Sequence, residues 1–279
     1  MTWYLTGLLG EHIAQSRSPV MHEREAEAHA CKLAYQLFDF AELKKPATDL
    51  GKMVDAALQM GFAGLNVTHP FKREVLRYLD EVSAEAAAIG AVNTVVFRTG
   101  KKIGFNTDCP GFFNAFEEEL GDVNRQRVLL LGAGGAGSAV STALMQLGVK
   151  ELFIHDRQET QAQLLVEKLA FQHPEVQVQG LSASELNSCQ VEGIINATPV
   201  GMREFPGLPL PQACIQKHHW VVDIIYFPLQ TALLAHAETM GCRTMNGARM
   251  AVYQAAEAFT LFTGLPANKA RMLAGFYQQ

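Results

Sequence analysis

The sequence predicts an α/β fold in two domains. Three observations carry that expectation. Strand and helix patterns alternate along all 279 residues. A polar break at residues 104–111 divides the alternation into two runs. A glycine-rich turn in the second run joins an apolar strand to a helix. The length suits two domains better than one. Apolar residues make up 48% of the chain and charged residues 18%, so each half can bury a core and the chain is not compositionally disordered.

In the first half, WYLTGL, AYQLFDF, FAGLNV and VNTVVF read as strands. PVMHEREAEAHA, the segment after Thr48, FKREVLRYL and VSAEAAAIG read as helices. The alternation implies a largely parallel sheet. Ser18 before Pro19 makes a good helix start, which accounts for Ser18 as an N-cap and leaves Ser16 free. At the break, GFNTDCPG, Asp108 is placed to cap the helix FFNAFEEEL, which ends at Gly121. The second run begins at Arg127 with the strand RVLLL and continues through the glycine turn to a helix ending near Leu147. The strand ELFIH and a helix from about Gln158 follow, then strands at GIIN and WVVDII. GARMAVYQAAEAFTLFTG has apolar residues at helical spacing, and a further helix is expected from Ala267. The expected domains are residues 1–108, joined by the C-terminal helices of 248–279, and residues 109–247.

Composition excludes several classes. The net charge is −5 and no Lys/Arg run marks a nucleic-acid or polybasic membrane surface, though one lysine can still neutralise a small anionic substrate. No apolar run approaches a membrane span. The N-terminus, MTWYLTGLLGEHI, has neither a basic leader nor a small-residue cleavage site. Cys31, Cys109, Cys189, Cys214 and Cys242 are scattered, odd in number and lack C-x-x-C spacing. They argue against a disulfide framework or a zinc site, so no metal is expected, and they fit a reducing cytosol.

Gly132-Ala133-Gly134-Gly135-Ala136-Gly137 satisfies G-x-G-x-x-G in the context that pattern requires, after VLLL and at the start of a helix expected over Ser138–Leu147. Glycines let backbone approach a pyrophosphate, and the helix N-terminus offers free N–H groups and positive dipole charge. An ordinary tight strand–helix turn is the plainer alternative. Asp156 ends the next strand about 20 residues past the glycine turn, where a Rossmann-type domain places the group that reads the adenosine ribose. A carboxylate there accepts from both ribose hydroxyls and repels a 2′-phosphate, so NAD is favoured over NADP. Arg157 is a cation that could hold a 2′-phosphate or stack on adenine.

Such a domain supplies no reaction specificity, so the other half must hold the substrate and the acid/base. Ser16-Arg17-Ser18-Pro19, Asn66-Val67-Thr68-His69-Pro70-Phe71-Lys72, Asn93-Thr94 and Asn106-Thr107-Asp108 all stand at strand ends or turns. Singly, each is more often a cap or turn residue, and His69 reads as structural. Their shared placement at strand ends, facing an expected inter-domain cleft, points to a site. Lys72 falls in the first turn of the helix expected at FKREVLRYL, where the dipole disfavours a cation.

These motifs together resemble the shikimate dehydrogenase family nearly end to end. The resemblance rests on SRSP (Ser16–Pro19), GLNVTHPFK (Gly64–Lys72), GAVNT (Gly90–Thr94), GFNTD (Gly104–Asp108), GAGGAG (Gly132–Gly137), NATPVGM (Asn196–Met202), DIIYFPLQT (Asp223–Thr231) and GARMAVYQA (Gly247–Ala255). It implies an N-terminal α/β substrate domain, a C-terminal Rossmann-type dinucleotide-binding domain and an inter-domain cleft. It implies reversible NAD- or NADP-dependent oxidation of a cyclitol carboxylate, shikimate or quinate, at the ring C3 hydroxyl, within chorismate and aromatic amino acid biosynthesis or quinate catabolism. By the resemblance, Lys72 is the catalytic lysine and Asp108 its partner. Ser16, Ser18, Thr68, Asn93, Tyr226 and Gln254 hold substrate, assisted by Asn66. Thr198 and Met202 flank the nicotinamide, and Gly247 lies in the loop beside it. A cytoplasmic monomer or homodimer without nucleic-acid or membrane partners is expected.

The chain departs from the common family pattern in the loop GEHIAQ before SRSP, at Cys109 in place of glycine, at Asp156-Arg157 in place of Asn-Arg, and at Ala248 to Ala251, where alanine stands for a common leucine. The Asp156 change resembles the NAD-preferring quinate/shikimate branch, whereas serine at position 18 leans toward shikimate. The alternatives are an enzyme acting mainly on quinate, a non-catalytic sensor of the same cyclitol acids, and a folate-type dehydrogenase, which the SRSP and NTD motifs do not support.

Overall fold

The computed structural model describes residues 2–278. It forms two compact units, one made of residues up to Gly111 together with those from Val252 onward, the other spanning Phe112–Ala251. Both are α/β, so the expected fold class holds.

The elements of the first unit are β1 (Trp3–Gly10), α1 (Ser18–Ala28), β2 (Lys32–Asp39), α2 (Leu50–Gln59), β3 (Gly64–Val67), β4 (Glu81–Val82), α3 (Ala84–Ile89), β5 (Thr94–Arg98) and β6 (Lys101–Phe105). Its sheet has the order β2-β1-β3-β5-β6-β4. β1 pairs in parallel with β2 and β3, and β4 with β6, while β5 runs antiparallel to both β3 and β6. The β5–β6 hairpin turns at Thr99 and Gly100, whose φ values of +50° and +76° are those of a two-residue turn matched to strand twist. Leu9, Phe40, Leu50, Val54, Leu65, Phe71, Val75 and Val95 form its main core.

α4 (Asp108–Leu120) begins in this unit and continues into the second. There follow β7 (Arg127–Leu131), α5 (Gly135–Gln146), β8 (Glu151–His155), α6 (Glu159–Gln172), β9 (Gln177–Gly180), β10 (Gly193–Asn196), β11 (Trp220–Asp223), α7 (Ala232–Thr239) and β12 (Arg243–Met245). All pairings are parallel, in the order β12-β11-β10-β7-β8-β9. This is the doubly wound order of a dinucleotide-binding sheet, with its switch point between β7 and β10. β7, β10 and β11 are short apolar runs because helices cover a parallel sheet on both faces.

α8 (Ala248–Thr263) returns the chain to the first unit and α9 (Lys269–Tyr277) closes it. There α9 is tied to α1: Glu25, 1% exposed, accepts from Arg271 Nε at 2.8 Å, from Arg271 Nη2 at 2.7 Å and from the Asn268 amide at 2.7 Å.

Four sequence expectations need correction. FKREVLRYL is not an α-helix: turns run through Lys72 and a 3-10 helix covers Glu74–Tyr78. The Lys72 carbonyl accepts from the Val92 amide at 2.8 Å, and because no α-helix starts here the dipole argument for Lys72 falls. Ser18 is the first helical residue, not a cap, and instead Ser16 Oγ accepts from the Ser18 amide at 3.3 Å. Asp108 does not cap α4. Asn106 Oδ1 does so, accepting from the Asp108 and Cys109 amides at 3.1 and 3.2 Å, which leaves the Asp108 carboxylate for other partners. Finally, α5 starts at Gly135 rather than Ser138.

One core residue sets a pH expectation. His22 of α1 is fully buried, and neither ring nitrogen has a hydrogen-bond partner among the described residues. Its ring lies 4.8 Å from that of Tyr35 and 6.0 Å from that of Phe262. Burial lowers its pKa to about 3, against a smaller opposing effect of Glu25. Between that value and the unfolded pKa of ~6.5, the unfolded chain binds the extra proton, so stability falls as pH falls. Unfolding free energies from urea titrations at pH 7, 6 and 5 are expected to decline less steeply in His22→Phe than in the parent, the difference approaching about 1.4 kcal/mol per pH unit only below pH 6. Equal slopes would remove His22 from the acid response.

Candidate active site

In the first unit, the ends of β3, β5 and β6 bring a chain of polar side chains together. Tyr35 Oη donates to Asn66 Oδ1 at 2.8 Å, and Asn66 Nδ2 donates to Thr94 Oγ1 at 3.0 Å. Thr94 Oγ1 donates to Asn93 Oδ1 at 3.0 Å, and that oxygen also accepts from the Thr107 amide at 2.8 Å. Asn93 Nδ2 donates to Thr107 Oγ1 at 2.9 Å and reaches Gln254 Oε1 at 3.5 Å. Asn66, Asn93, Thr94 and Thr107 are all buried. Buried amides and hydroxyls persist only when satisfied, and mutual satisfaction fixes their rotamers.

Asp108, which follows Thr107 of this chain in sequence, forms an ion pair with Lys72: Lys72 Nζ donates to Asp108 Oδ2 at 2.6 Å. The lysine side chain is 17% exposed and the aspartate 7%. Asp108 is held by the Asn106 cap at the start of α4, and Lys72 by the bond from Val92 to its carbonyl. The geometry presents an ammonium fixed by a carboxylate, which can hold or release a proton at Nζ. Cys109, the next residue, is fully buried, and burial together with the charge of Glu85 pushes its thiol well above the ordinary range. It is therefore a packed thiol and not a nucleophile.

The other expected substrate residues are placed as follows. Thr68 follows β3, its side chain over Gly10, where an added Cβ would meet Thr68 Cγ2 at 2.4 Å. Ser16 and Ser18 bond each other at the start of α1. The loop before them, GEHIAQ, is held by Asp39, whose carboxylate accepts from the His12 and Ile13 amides at 3.1 and 2.8 Å. Tyr226 lies in the second unit, on the segment after β11. Thr94 and Thr107, which stand in the polar segments singled out from sequence without an assigned role, belong to the polar chain, as does Tyr35, which the sequence reading does not include. The hydroxyl of Tyr35 is invisible in AYQLFDF, which reads as an apolar strand.

In the second unit, the glycine turn lies at the switch point. Gly132 has φ +99°, and a Cβ there would meet Ala197 O at 2.8 Å. At Gly137 a Cβ would stand 2.0 Å from Gly132 O. Gly134 faces open space, with nothing within 4 Å of its ideal Cβ. Asp156 ties this turn to the end of β8: Oδ2 accepts from the Ala133 amide at 2.8 Å and Oδ1 from the Gln158 amide at 2.8 Å. Gly135 and Ala136 form the first turn of α5, and Arg157 is exposed. Across the switch point, Asn196 Oδ1 accepts from the Thr198 amide and hydroxyl at 3.0 and 2.6 Å. Met202 follows through a turn, its amide bonding Pro199 O at 3.1 Å. The Gly247 amide donates to Ile225 O at 3.1 Å.

Comparison with known proteins agrees with both units. The shikimate dehydrogenase substrate binding domain matches residues 8–95. The shikimate/quinate 5-dehydrogenase family matches residues 114–199, and the shikimate 5′-dehydrogenase C-terminal domain residues 247–274. The NADP-dependent shikimate dehydrogenase of Arthrobacter sp. (strain FB24) is 42% identical over 99% of this chain and 94% of its own. The NAD-dependent quinate/shikimate dehydrogenase of Corynebacterium efficiens is 42% identical over 98% of this chain and 97% of its own. The structure of quinate dehydrogenase from Corynebacterium glutamicum in complex with NAD superposes with a TM-score of 0.92 at 41% identity, covering 100% of both chains. With likeness of this extent along the whole sequence, the chain belongs to the shikimate/quinate dehydrogenase family.

Proposed function

We propose that this protein is an NAD(P)-dependent shikimate/quinate dehydrogenase that oxidises the C3 hydroxyl of a cyclitol carboxylate reversibly, with NAD as the preferred cofactor. The observation that carries the reading is the Lys72–Asp108 pair at 2.6 Å beside a buried, fully bonded polar chain. Family membership supplies the reaction class.

When bound, the nicotinamide takes up or supplies the hydride. The chain's own residues handle the proton and the substrate. In the oxidative direction, Lys72 Nζ as a neutral amine takes the proton of the substrate hydroxyl. In the reductive direction, as an ammonium, it returns that proton to the carbonyl oxygen. Asp108 keeps Nζ aimed and accepts from a substrate hydroxyl. Asn66, Thr68, Asn93 and Gln254, with Ser16, Ser18 and Tyr226, hold the remaining hydroxyls and the carboxylate.

The glycine turn fits a dinucleotide. Gly134 leaves space over its Cα, and Gly132 and Gly137 permit the close turn beneath α5. Gly132–Gly137, Asp156, Arg157, Thr198, Met202 and Gly247 are the residues that would hold it. The NAD preference rests on Asp156. Each of its oxygens already accepts one backbone amide, and each keeps a lone pair for a ribose hydroxyl. A 2′-phosphate would meet that carboxylate.

Serine at position 18 makes shikimate the first substrate. Likeness to the corynebacterial quinate dehydrogenase supports quinate as the second reading. Initial rates of reduced-cofactor absorbance, crossing shikimate and quinate with NAD and NADP, test both readings. Wild type is expected to show higher kcat/KM with NAD. Asp156→Asn is expected to shift the NAD:NADP ratio toward NADP by about tenfold. Because the amide also loses one tether to the turn, the NAD value should fall further than the NADP value rises. Equal efficiency with both cofactors in wild type would defeat the ribose argument, and inertness toward both acids the whole reading. A cytoplasmic monomer or homodimer is part of this proposal. None of its five cysteines forms a disulfide among the described residues, which suits a reducing compartment.

A further inference from the structure

We propose that Asp223, at the end of β11, is a positioning residue for hydride transfer: one buried carboxylate sets the backbone segments that carry Thr198, Met202 and Gly247. The inference rests on the reading of those three residues as the nicotinamide side of the site.

The carboxylate is the hub of a bonded cluster inside the second unit. Oδ1 accepts from Asn196 Nδ2 at 3.0 Å and from the Ile225 amide at 3.1 Å. Oδ2 accepts from the Thr231 hydroxyl at 2.7 Å. Asp223, Asn196 and Thr231 are buried. Each of these bonds leads to a segment of interest. Asn196 Oδ1 takes both the amide and the hydroxyl of Thr198, and Asn196 Nδ2 also reaches the Val200 carbonyl at 2.9 Å. Val200 bridges to Met202. Ile225, whose amide Asp223 fixes, accepts from the Gly247 amide at 3.1 Å. Gly247 lies so close to this backbone that a Cβ would stand 2.0 Å from Ile224 O. Thr231 caps α7, accepting from the Leu234 amide at 3.3 Å. Asp223 thus joins the loop after β10, the loop after β11 and the start of α8.

The chemistry calls for an acid at this position. All three partners donate, and only a carboxylate accepts on both oxygens. An asparagine would turn an NH2 toward one donor. Burial without an opposing cation is costly for a carboxylate, so its retention asks for a role. Burial raises its pKa to about 6, against the lowering effects of Thr231, the Ile225 amide and Asn196, which are the groups that bear on it and are all neutral. Below that pH a proton occupies an oxygen that the cluster uses, and the carboxyl group keeps two of its three accepted bonds, as an asparagine would.

The test is an NADH fluorescence titration, which needs no turnover, alongside KM and kcat with shikimate and NAD. Asp223→Ala is expected to weaken NADH binding by about tenfold or more and to raise KM for NAD, with a smaller loss of shikimate affinity because Tyr226 follows Ile225 on one of the anchored segments. Asp223→Asn keeps two of the three bonds and should recover most of the NADH affinity. Wild-type affinity for NADH should fall as pH drops from 7 to 5, and Asp223→Asn should be flat over that range. If the alanine variant fails to fold, the asparagine pH profile still decides. Unchanged NADH affinity in Asp223→Ala, equal losses for cofactor and shikimate, or a wild-type pH profile in Asp223→Asn would overturn the proposal. A wild type that binds NADH but oxidises neither acid would sink the functional reading and leave the positioning question to the titration.

Discussion

Lys72→Ala is expected to lower kcat for shikimate oxidation by about 10³-fold, within the 10²–10⁴ range of positioned acid–base catalysis, while shikimate binds within a few-fold of wild type. Lys72 Nζ is paired with Asp108 at 2.6 Å, and the Asn66 and Asn93 amides proposed to hold substrate are bonded within the polar chain. Removing the ammonium should therefore leave the polar chain in place. It does leave Asp108, only 7% exposed, without its cation, and a buried carboxylate stripped of its partner destabilises a fold. The single variant should thus melt lower than wild type. Lys72→Ala/Asp108→Asn should recover much of that melting temperature and none of the turnover. Calorimetry with single-turnover absorbance separates the two effects. Near wild-type turnover in either variant would take Lys72 out of the mechanism.

How much of this was legible beforehand depended on burial. RVLLL, GIIN and WVVD are largely buried strands whose side chains are mostly apolar, so their runs mark β7, β10 and β11, while WYLTGL marks β1 by composition although Trp3 and Leu5 are exposed. β4, β9 and β12 went unread because each is a short edge strand. Gln177–Gly180 has an alternating exposed pattern and a single large apolar residue, which no periodicity test detects. β6 was hidden by Lys101 and Lys102, although the Thr99-Gly100 turn was a usable signal. α7 carries a legible signal, Thr231 capping ALLAHA, that the strand–helix alternation alone does not weigh.

The candidate site divides the same way. Lys72, Asp108 and the glycine turn stand in short contiguous motifs, so spacing reveals them. Their supports do not. Lys72 sits in a turn, and its carbonyl bonds a residue 20 positions later. Asp108 is free for Lys72 because Asn106 does the capping. Tyr35 and Asp223 act through partners distant in sequence, and a lone polar residue in an apolar strand carries no mark of that.

The glycine turn yields a paired expectation with a large effect. At Gly137 a Cβ would lie 2.0 Å from the Gly132 carbonyl oxygen and 2.8 Å from its carbon, both backbone atoms. Neither can rotate away, and Gly132 is itself pinned: its φ is +99°, and its amide bonds His155 O at 2.8 Å. Gly137→Ala must therefore lift the start of α5 from the turn. The overpacking should destabilise the second unit by about 1–3 kcal/mol and weaken NAD binding by about 100-fold or more, since free N–H groups at that helix start are what a pyrophosphate would meet. Gly134→Ala is the contrast. Its φ of −74° suits any residue, and its Cβ would meet nothing within 4 Å, so the fold should be unaffected. Any loss of NAD affinity there must come from a collision with the cofactor itself. Melting curves and NAD titrations of the two variants should therefore diverge: stability and affinity both fall for Gly137→Ala, and affinity alone falls for Gly134→Ala. Full NAD affinity in Gly134→Ala would show that the open space above the turn is not where the pyrophosphate lies.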